Sequence, residues 1–392
     1  MIKFDAAYNM VMDSAFSTGA EEVHFTESAG RILINSVKSD IDMPPFDRSK
    51  VDGYACRQAD IGKTLLVVEI VAAGMQPQKN IEPGMCSRIM TGAALPSGAD
   101  FVFMFEESEP AGENMVRYCG KSPRCNISYR AEDVISGEVV LKTGCIIRPQ
   151  EIAIMAMAGC TKILVGKKAR VGIVSTGNEL IEPDKKPSAT QIRNSNAWQL
   201  LAQVERAGGI GKYYGIAADN KESTSKFIET ALSENDIVVI TGGVSAGDFD
   251  LVPGVLGDQG LKMLFDSVAV QPGKPMKLFT GNRKIVFGLP GNPVAAFVQF
   301  EVIVRPLIAK MMGATFALSN SINLVLGTDY SRKIADRMAW IPVSLNKLGE
   351  VIPLEYHGSG HIASLHEATG LMSVPQGQSW IQKGETVSVR PV

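Results

Sequence analysis

Ile237-Val-Val-Ile-Thr-Gly-Gly-Val-Ser-Ala-Gly-Asp-Phe-Asp250 runs from an apolar β-type stretch straight into paired glycines and then two carboxylates. A short β-branched run closed by turn residues reads as a buried strand. Gly242 and Gly243 let the chain turn sharply at its end and leave amide N–H groups free to face an anion. Asp248 and Asp250 add oxygen ligands at a spacing that suits a divalent cation or a polar substrate. Together these features describe a site for a phosphate-bearing ligand on an α/β sheet. The plainer alternative is a tight turn carrying surface aspartates.

Working outward, residues from about 168 to 312 alternate strand and helix as a parallel α/β sheet does. Expected strands are Arg170–Val174, Lys212–Ile216, Met263–Val270 and Lys284–Leu289. Expected helices are Asn196–Ala207, stopped by Gly208-Gly209, and Lys221–Leu232. Asn292 and Pro293 suit the N-cap and first turn of a long helix, Val294–Met312. That helix is apolar nearly all round, which predicts burial on both faces, against this chain or another subunit. Pro306 should kink it. Loops at the carboxyl ends of parallel strands share one rim. Ser175–Leu180, Asp219, Thr241–Asp250 and Pro290–Pro293 should therefore converge there.

Before this region, Phe4–Phe16 has helical periodicity and Arg31–Asn35 reads as a strand. Asp42-Met-Pro-Pro-Phe-Asp-Arg-Ser-Lys-Val-Asp52 is a stiff polar loop, because its two prolines exclude helix. Residues 54 to 133 read as a small β-rich domain with strands at Thr64–Ala72, Cys86–Met90 and Phe101–Phe105. Pro149–Ala158 reads as a helix. After residue 314, five strand-like pieces (322–327, 339–345, 351–354, 371–374, 386–389) predict a small barrel or sandwich. His357-Gly-Ser-Gly-His361 lies among them. It has no carboxylate at short range, which argues against zinc.

The totals exclude several classes. At 392 residues, about two to four domains are expected. A net charge of −2 provides no basic field for nucleic acid. No apolar run reaches membrane-spanning length and no cleavable signal pattern opens the chain. The six cysteines all precede residue 161 without a CxxC pair. They read as reduced thiols of a cytoplasmic protein. Neither GxxxxGK[ST], GxGxxG nor HExxH occurs, so the familiar nucleotide and metalloprotease signatures are absent.

Seven segments in order resemble the molybdopterin molybdenumtransferase family (MoeA and gephyrin E-domain type): DMPPFDRSKVDGYA (42–55), IMTGAALPSGAD (89–100), STGNEL (175–180), TGGVSAGDFD (241–250), PGKPMK (272–277), GLPGNPVAA (288–296) and GSG (358–360). The resemblance implies a multidomain α/β subunit. Its parts would be a connector from 1–53 and 134–166, a β-rich flap domain at 54–133, a molybdopterin-binding α/β domain with a parallel-type sheet at 167–313, and a C-terminal β-barrel at 314–392. It implies a cytoplasmic homodimer that inserts molybdate into adenylylated molybdopterin with Mg²⁺ and releases AMP, with a molybdopterin adenylyltransferase as a further partner.

Carried onto this chain, the resemblance places Asp250, Asp219 and Glu179 on the metal. Gly242, Gly243, Ser245, Lys274, Lys277, Pro290, Pro293 and Ser359 would surround the pterin, phosphate and oxyanion. Asp52, Thr91 and Asp133 match further cleft positions. The chain departs from the family at Gln271 and Ser267, where cations are common, and at Ser128 in place of an expected arginine, with Arg130 close by as a substitute. Each departure weakens an anion site. They leave room for tungstate in place of molybdate, or for a non-catalytic molybdopterin-binding scaffold.

Overall fold

The computed structural model describes residues 1–243, 251–315, 321–355, 358 and 360–392. It divides into two units: Met1–Asn35, Thr143–Arg148 and Ile163–Val392 in one, Ser36–Lys142 and Pro149–Lys162 in the other.

The first unit is organised on a mixed sheet. Its six described strands lie in the order Ile210–Ala217, Arg170–Thr176, Ile237–Thr241, Lys284–Leu289, Pro275–Gly281, Lys262–Ser267. The first four are parallel, as the sequence predicts. Pro275–Gly281 runs antiparallel to them, and Lys262–Ser267, antiparallel to it, returns to their direction. The reversal between Pro275–Gly281 and Lys284–Leu289 is a two-residue hairpin at Asn282 and Arg283, both at positive φ (51° and 56°). That conformation matches the strand twist and reverses the chain without a crossover helix. Both faces of the sheet are covered. Ile237 and Val239 join one core with Leu200, Val204 and Val294. Val238 and Ile240 join another with Ile228, Leu232 and Val252. Helices on both faces explain why the strand is apolar at consecutive positions.

The long helix expected from Val294 is three pieces: α-helix Pro293–Gln299, a π-helical turn Phe300–Val304, and α-helix Arg305–Met311. The π turn stands just before Pro306, whose ring cannot fit against the carbonyl four residues earlier. That carbonyl, Val302 O, is satisfied by Arg390 Nη1 at 3.1 Å. The Arg390 guanidinium also lies 4.7 Å from the Trp340 ring centre. Glu301, fully buried in the same turn, is offset by Arg305 at 3.0 Å, by Gln203 at 2.6 Å and by Arg206. Burial of this helix is completed within the chain itself.

The C-terminal strands are Ile322–Val325, Met338–Leu345, Val351–Pro353, Gly370–Val374 and Thr386–Pro391. Their ladder runs from Val351–Pro353 through Met338–Leu345, Gly370–Val374 and Thr386–Pro391 to Ile322–Val325. A bridge between Leu326 and Val351 joins the two ends and closes a small barrel. Val270–Gln271 adds to it in parallel with Met338–Ala339. The expected strand Met263–Val270 is therefore split between two sheets. Arg31–Asn35 is also not a regular strand: Ile32 and Leu33 make only isolated bridges, to Ile146 and Val165.

The second unit holds the flap sheet, in the order Phe101–Met104, Gly53–Cys56, Met85–Ile89, Thr64–Val71, Met115–Tyr118, Ser108–Gly112. Its pairs are antiparallel apart from Thr64–Val71 with Met85–Ile89. One face packs Cys56, Leu65, Cys86, Phe101 and Phe103, the other Ala55, Val71, Ile89 and Val102. Helix Pro149–Met157 belongs to this unit too. All six cysteines are free thiols.

Candidate active site

The four parallel strands end level, with Thr176 beside Ala217, Ser175 beside Thr241, and Thr241 beside Leu289. A cleft of about 490 Å³ opens above these ends. Thr176, Thr241 and Gly242 lie at the strand ends, Glu179, Leu180, Ile192 and Arg193 form a wall, and Gly291, Asn292 and Pro293 line it from the last turn. Gly360 and Ile362 of the C-terminal part also line it.

Glycine is required where these turns crowd. Gly242 has φ +83°, and a Cβ there would lie 2.4 Å from Thr176 O. At Gly243, φ +57°, a Cβ would lie 2.8 Å from Thr176 Oγ1. Gly177, φ +143°, has the Glu179 carboxylate folded over it, both oxygens 2.6 Å from where a Cβ would sit. The 272–275 loop lies against the Pro290 turn, since a Cβ on Gly273 would come 3.2 Å from Pro290 Cγ. Lys274 is exposed on that loop and Lys277 is buried behind it. Asn292 is the N-cap residue and Pro293 opens the helix, although the Asn292 side chain makes no capping bond.

Glu179 and Gly242 thus share the cleft. Asp219 lies on the neighbouring loop but clasps Asn178: its carboxylate accepts the Asn178 N–H at 3.1 Å, and its own N–H donates to Asn178 Oδ1 at 3.2 Å. Ser245, Asp248, Asp250, His357 and Ser359 lie outside the described residues. Among the described residues, no three His, Cys, Asp or Glu side chains gather as a metal site. Among the described residues, Glu179 is the carboxylate of the expected metal set that lines the cleft.

In the second unit Asp52 and Thr91 are joined. The Asp52 carboxylate accepts the Thr91 N–H at 2.7 Å and the Thr91 hydroxyl at 2.9 Å. These bonds, the backbone one first, hold the carboxyl below the ordinary aspartate range. Asp133 is exposed. Ser128 is buried and donates to Glu132 at 2.8 Å. Arg130 is paired with Asp42 at 2.6 Å, so its guanidinium is already engaged. Ser267 donates to Asp266 at 2.8 Å, and Gln271 Oε1 is buried without a partner.

Sequence reasoning missed the polar hub under the cleft. Asn194 Nδ2 donates to Ser175 Oγ at 3.0 Å and to Tyr213 OH at 2.8 Å, while its Oδ1 accepts from the Ala197 N–H at 3.3 Å. Asn196 Nδ2 donates to Gly291 O at 2.8 Å. The signal in the sequence is Asn194-Ser-Asn196, a cluster of polar residues at the start of a helix.

Family models match three stretches in succession: "MoeA N-terminal region (domain I and II)" over residues 2–159, "Probable molybdopterin binding domain" over 172–310, and "MoeA C-terminal region (domain IV)" over 324–392. The architecture is therefore that of the multidomain α/β proteins built around a domain of the molybdopterin-binding type. A molybdopterin molybdenumtransferase of Staphylococcus epidermidis is 34% identical over 377 residues, 94% of this chain and 90% of that protein. One from Staphylococcus aureus is 31% identical over 392 residues, 98% of this chain and 94% of that protein. The crystal structure of the molybdopterin biosynthesis MoeA protein from Pyrococcus horikoshii OT3 superposes with a TM-score of 0.84 at 30% identity, over 99% of both chains. The chain belongs to the molybdopterin molybdenumtransferase family, the transferases of molybdenum cofactor biosynthesis. No helix among the described residues is long and apolar enough to cross a membrane.

Proposed function

We propose that this transferase inserts molybdate into adenylylated molybdopterin and releases AMP and molybdenum cofactor. One observation carries the reading: the level strand ends meet in a cleft whose glycine turns are packed too tightly for side chains. Backbone amides fixed by such packing would meet a phosphate or pterin without reorganisation. Gly242, Gly243 and Ser245 would present those amides. Pro290 and Pro293 would fix the adjoining turn, and Ser359 would add a hydroxyl for the ligand. Lys274 and Lys277 would offset oxyanion and phosphate charge. Asp52 and Thr91, with Asp133, would serve the same reaction.

Asp250, Glu179 and Asp219 would hold Mg²⁺, whose preference for oxygen ligands fits carboxylates and phosphates. When bound, the ion would polarise the phosphoanhydride of the substrate. The protein would work as a cytoplasmic homodimer, receiving its substrate from a molybdopterin adenylyltransferase. Its four parts would be bounded at residues 53, 133, 166 and 313, with the connector built from two of the segments. The engaged Arg130, and Gln271 and Ser267 in place of cations, favour one second reading: a scaffold that binds the pterin without transfer.

A single-turnover experiment separates them. Purified protein is mixed with adenylylated molybdopterin, Mg²⁺ and either molybdate or tungstate, and AMP and bound metal are measured. The transferase releases AMP and retains metal; a scaffold binds without AMP release; a preference for tungstate changes the oxyanion. Asp250→Ala should fold normally and release no AMP, and normal turnover in that variant would remove the metal assignment.

A further inference from the structure

The wall of the cleft that carries Glu179 is an excursion from the sheet, residues 177–193. It pairs with itself over only two residues on each side, Leu180–Ile181 with Ile192–Arg193. Its outer part, 183–186, is exposed. Such a segment belongs to the low-stability end of a fold, because it has few buried contacts of its own. Among the described residues, two side-chain ties fasten it to the edge of the sheet and the loop beyond. One is the Asn178–Asp219 clasp at its base. The other, farther out, is Tyr213 OH donating to Glu182 Oε1 at 2.8 Å.

We propose that the Tyr213–Glu182 hydrogen bond latches this wall against the sheet, so that both are positioning residues for Glu179 and for whatever occupies the cleft. The geometry fixes the direction of the bond. Tyr213 OH already accepts from Asn194 Nδ2, a group that can only donate, so its single proton is left for Glu182. Asn194 is itself held by Ser175 and by the first turn of helix Asn196–Arg206. The tyrosine ring lies against Trp198, 5.5 Å between centres. The sheet side of the latch is thus rigid, and the excursion is the part it restrains. Burial and the neighbouring Glu182 push the phenol pKa up, which keeps the donor protonated.

The consequence for ligand binding rests on the cleft being the pterin site; the latch itself does not. Two measurements keep these apart. Trypsin nicking at the exposed Lys185–Lys186 bond reports release of the wall. Binding of adenylylated molybdopterin, followed by pterin fluorescence, reports the cleft. Tyr213→Phe and Glu182→Ala should each raise the nicking rate by about 3- to 10-fold, the loss of one hydrogen bond, and weaken binding by a similar factor. Glu182→Gln keeps an acceptor and should behave as wild type. The double variant Tyr213→Phe/Glu182→Ala should be no worse than either single one. Unchanged nicking in both single variants, or additive effects in the double, would overturn the latch. If wild-type protein fails to bind the compound, the pterin reading falls and nicking alone decides the latch.

Discussion

In the α/β sheet four adjacent strands point the same way, so their outgoing loops all leave from one edge. In the flap sheet the strands are mostly antiparallel, so successive turns go to opposite ends. The first arrangement makes a cleft from backbone turns and requires glycine where they crowd. The second has no common edge. Its polar site depends on one side chain, Asp52, capturing both the N–H and the hydroxyl of Thr91. Topology supplies convergence in one unit, and local hydrogen bonding supplies it in the other.

The largest test of that contrast is a pair of glycine substitutions. Gly242→Ala meets both a positive φ and a carbonyl oxygen 2.4 Å away. Gly92→Ala, beside Thr91, has φ +79° but nothing within 4 Å. The flap variant should lose about 1–2 kcal/mol, the backbone penalty alone. Gly242→Ala should lose clearly more and abolish ligand binding. Denaturant unfolding of the two variants measures the gap, and equal losses would contradict the crowding argument.

A smaller effect is expected from acid. The Thr91 bonds favour the ionised form of Asp52, so the folded flap gives up this proton more readily than the unfolded chain. The stabilisation is present above about pH 5 and is lost as pH falls through the depressed folded value. Asp52→Ala should therefore lose less stability than wild type between about pH 5 and pH 3. Parallel acid limbs would show the contact to be inconsequential.

The smallest is a labelling difference. Burial raises the Cys56 and Cys86 thiols to about 12, so neither supplies thiolate at neutral pH. A disulfide reagent at pH 8 should react promptly with the exposed Cys119 and Cys125, and with all six cysteines only after denaturation. Prompt reaction at Cys56 or Cys86 would mean that the flap core opens.

Much of this was legible in the sequence for a physical reason. Buried parallel strands are apolar at consecutive positions, and Ile237–Ile240 could hardly be anything else. Phe4, Ala7 and Val11 repeat at helical spacing and are the buried residues of the helix Phe4–Asp13. That Thr176–Leu180, Thr241–Gly242 and Gly291–Pro293 meet at one rim followed from strand direction alone. What stayed hidden depends on partners far along the chain. Arg31–Asn35 has β-type residues but finds only single bridges. Glu301 sits in an apolar run, and nothing local announces that Gln203 and Arg206 will meet it. Asn194 is a hub beneath the cleft through Ser175 and Tyr213, partners 19 residues away on either side.

Arg390, two residues from the carboxyl end, reaches back to the carbonyls freed by the π turn at Phe300–Val304. A barrel strand thereby completes the interior of a helix laid down 88 to 89 residues earlier, while Val270–Gln271 lends the barrel a strand in return. The borders at which the α/β and barrel segments divide by sequence are therefore not lines of weakness: on heating, these two regions should melt in a single transition, and neither should persist as a folding intermediate without the other.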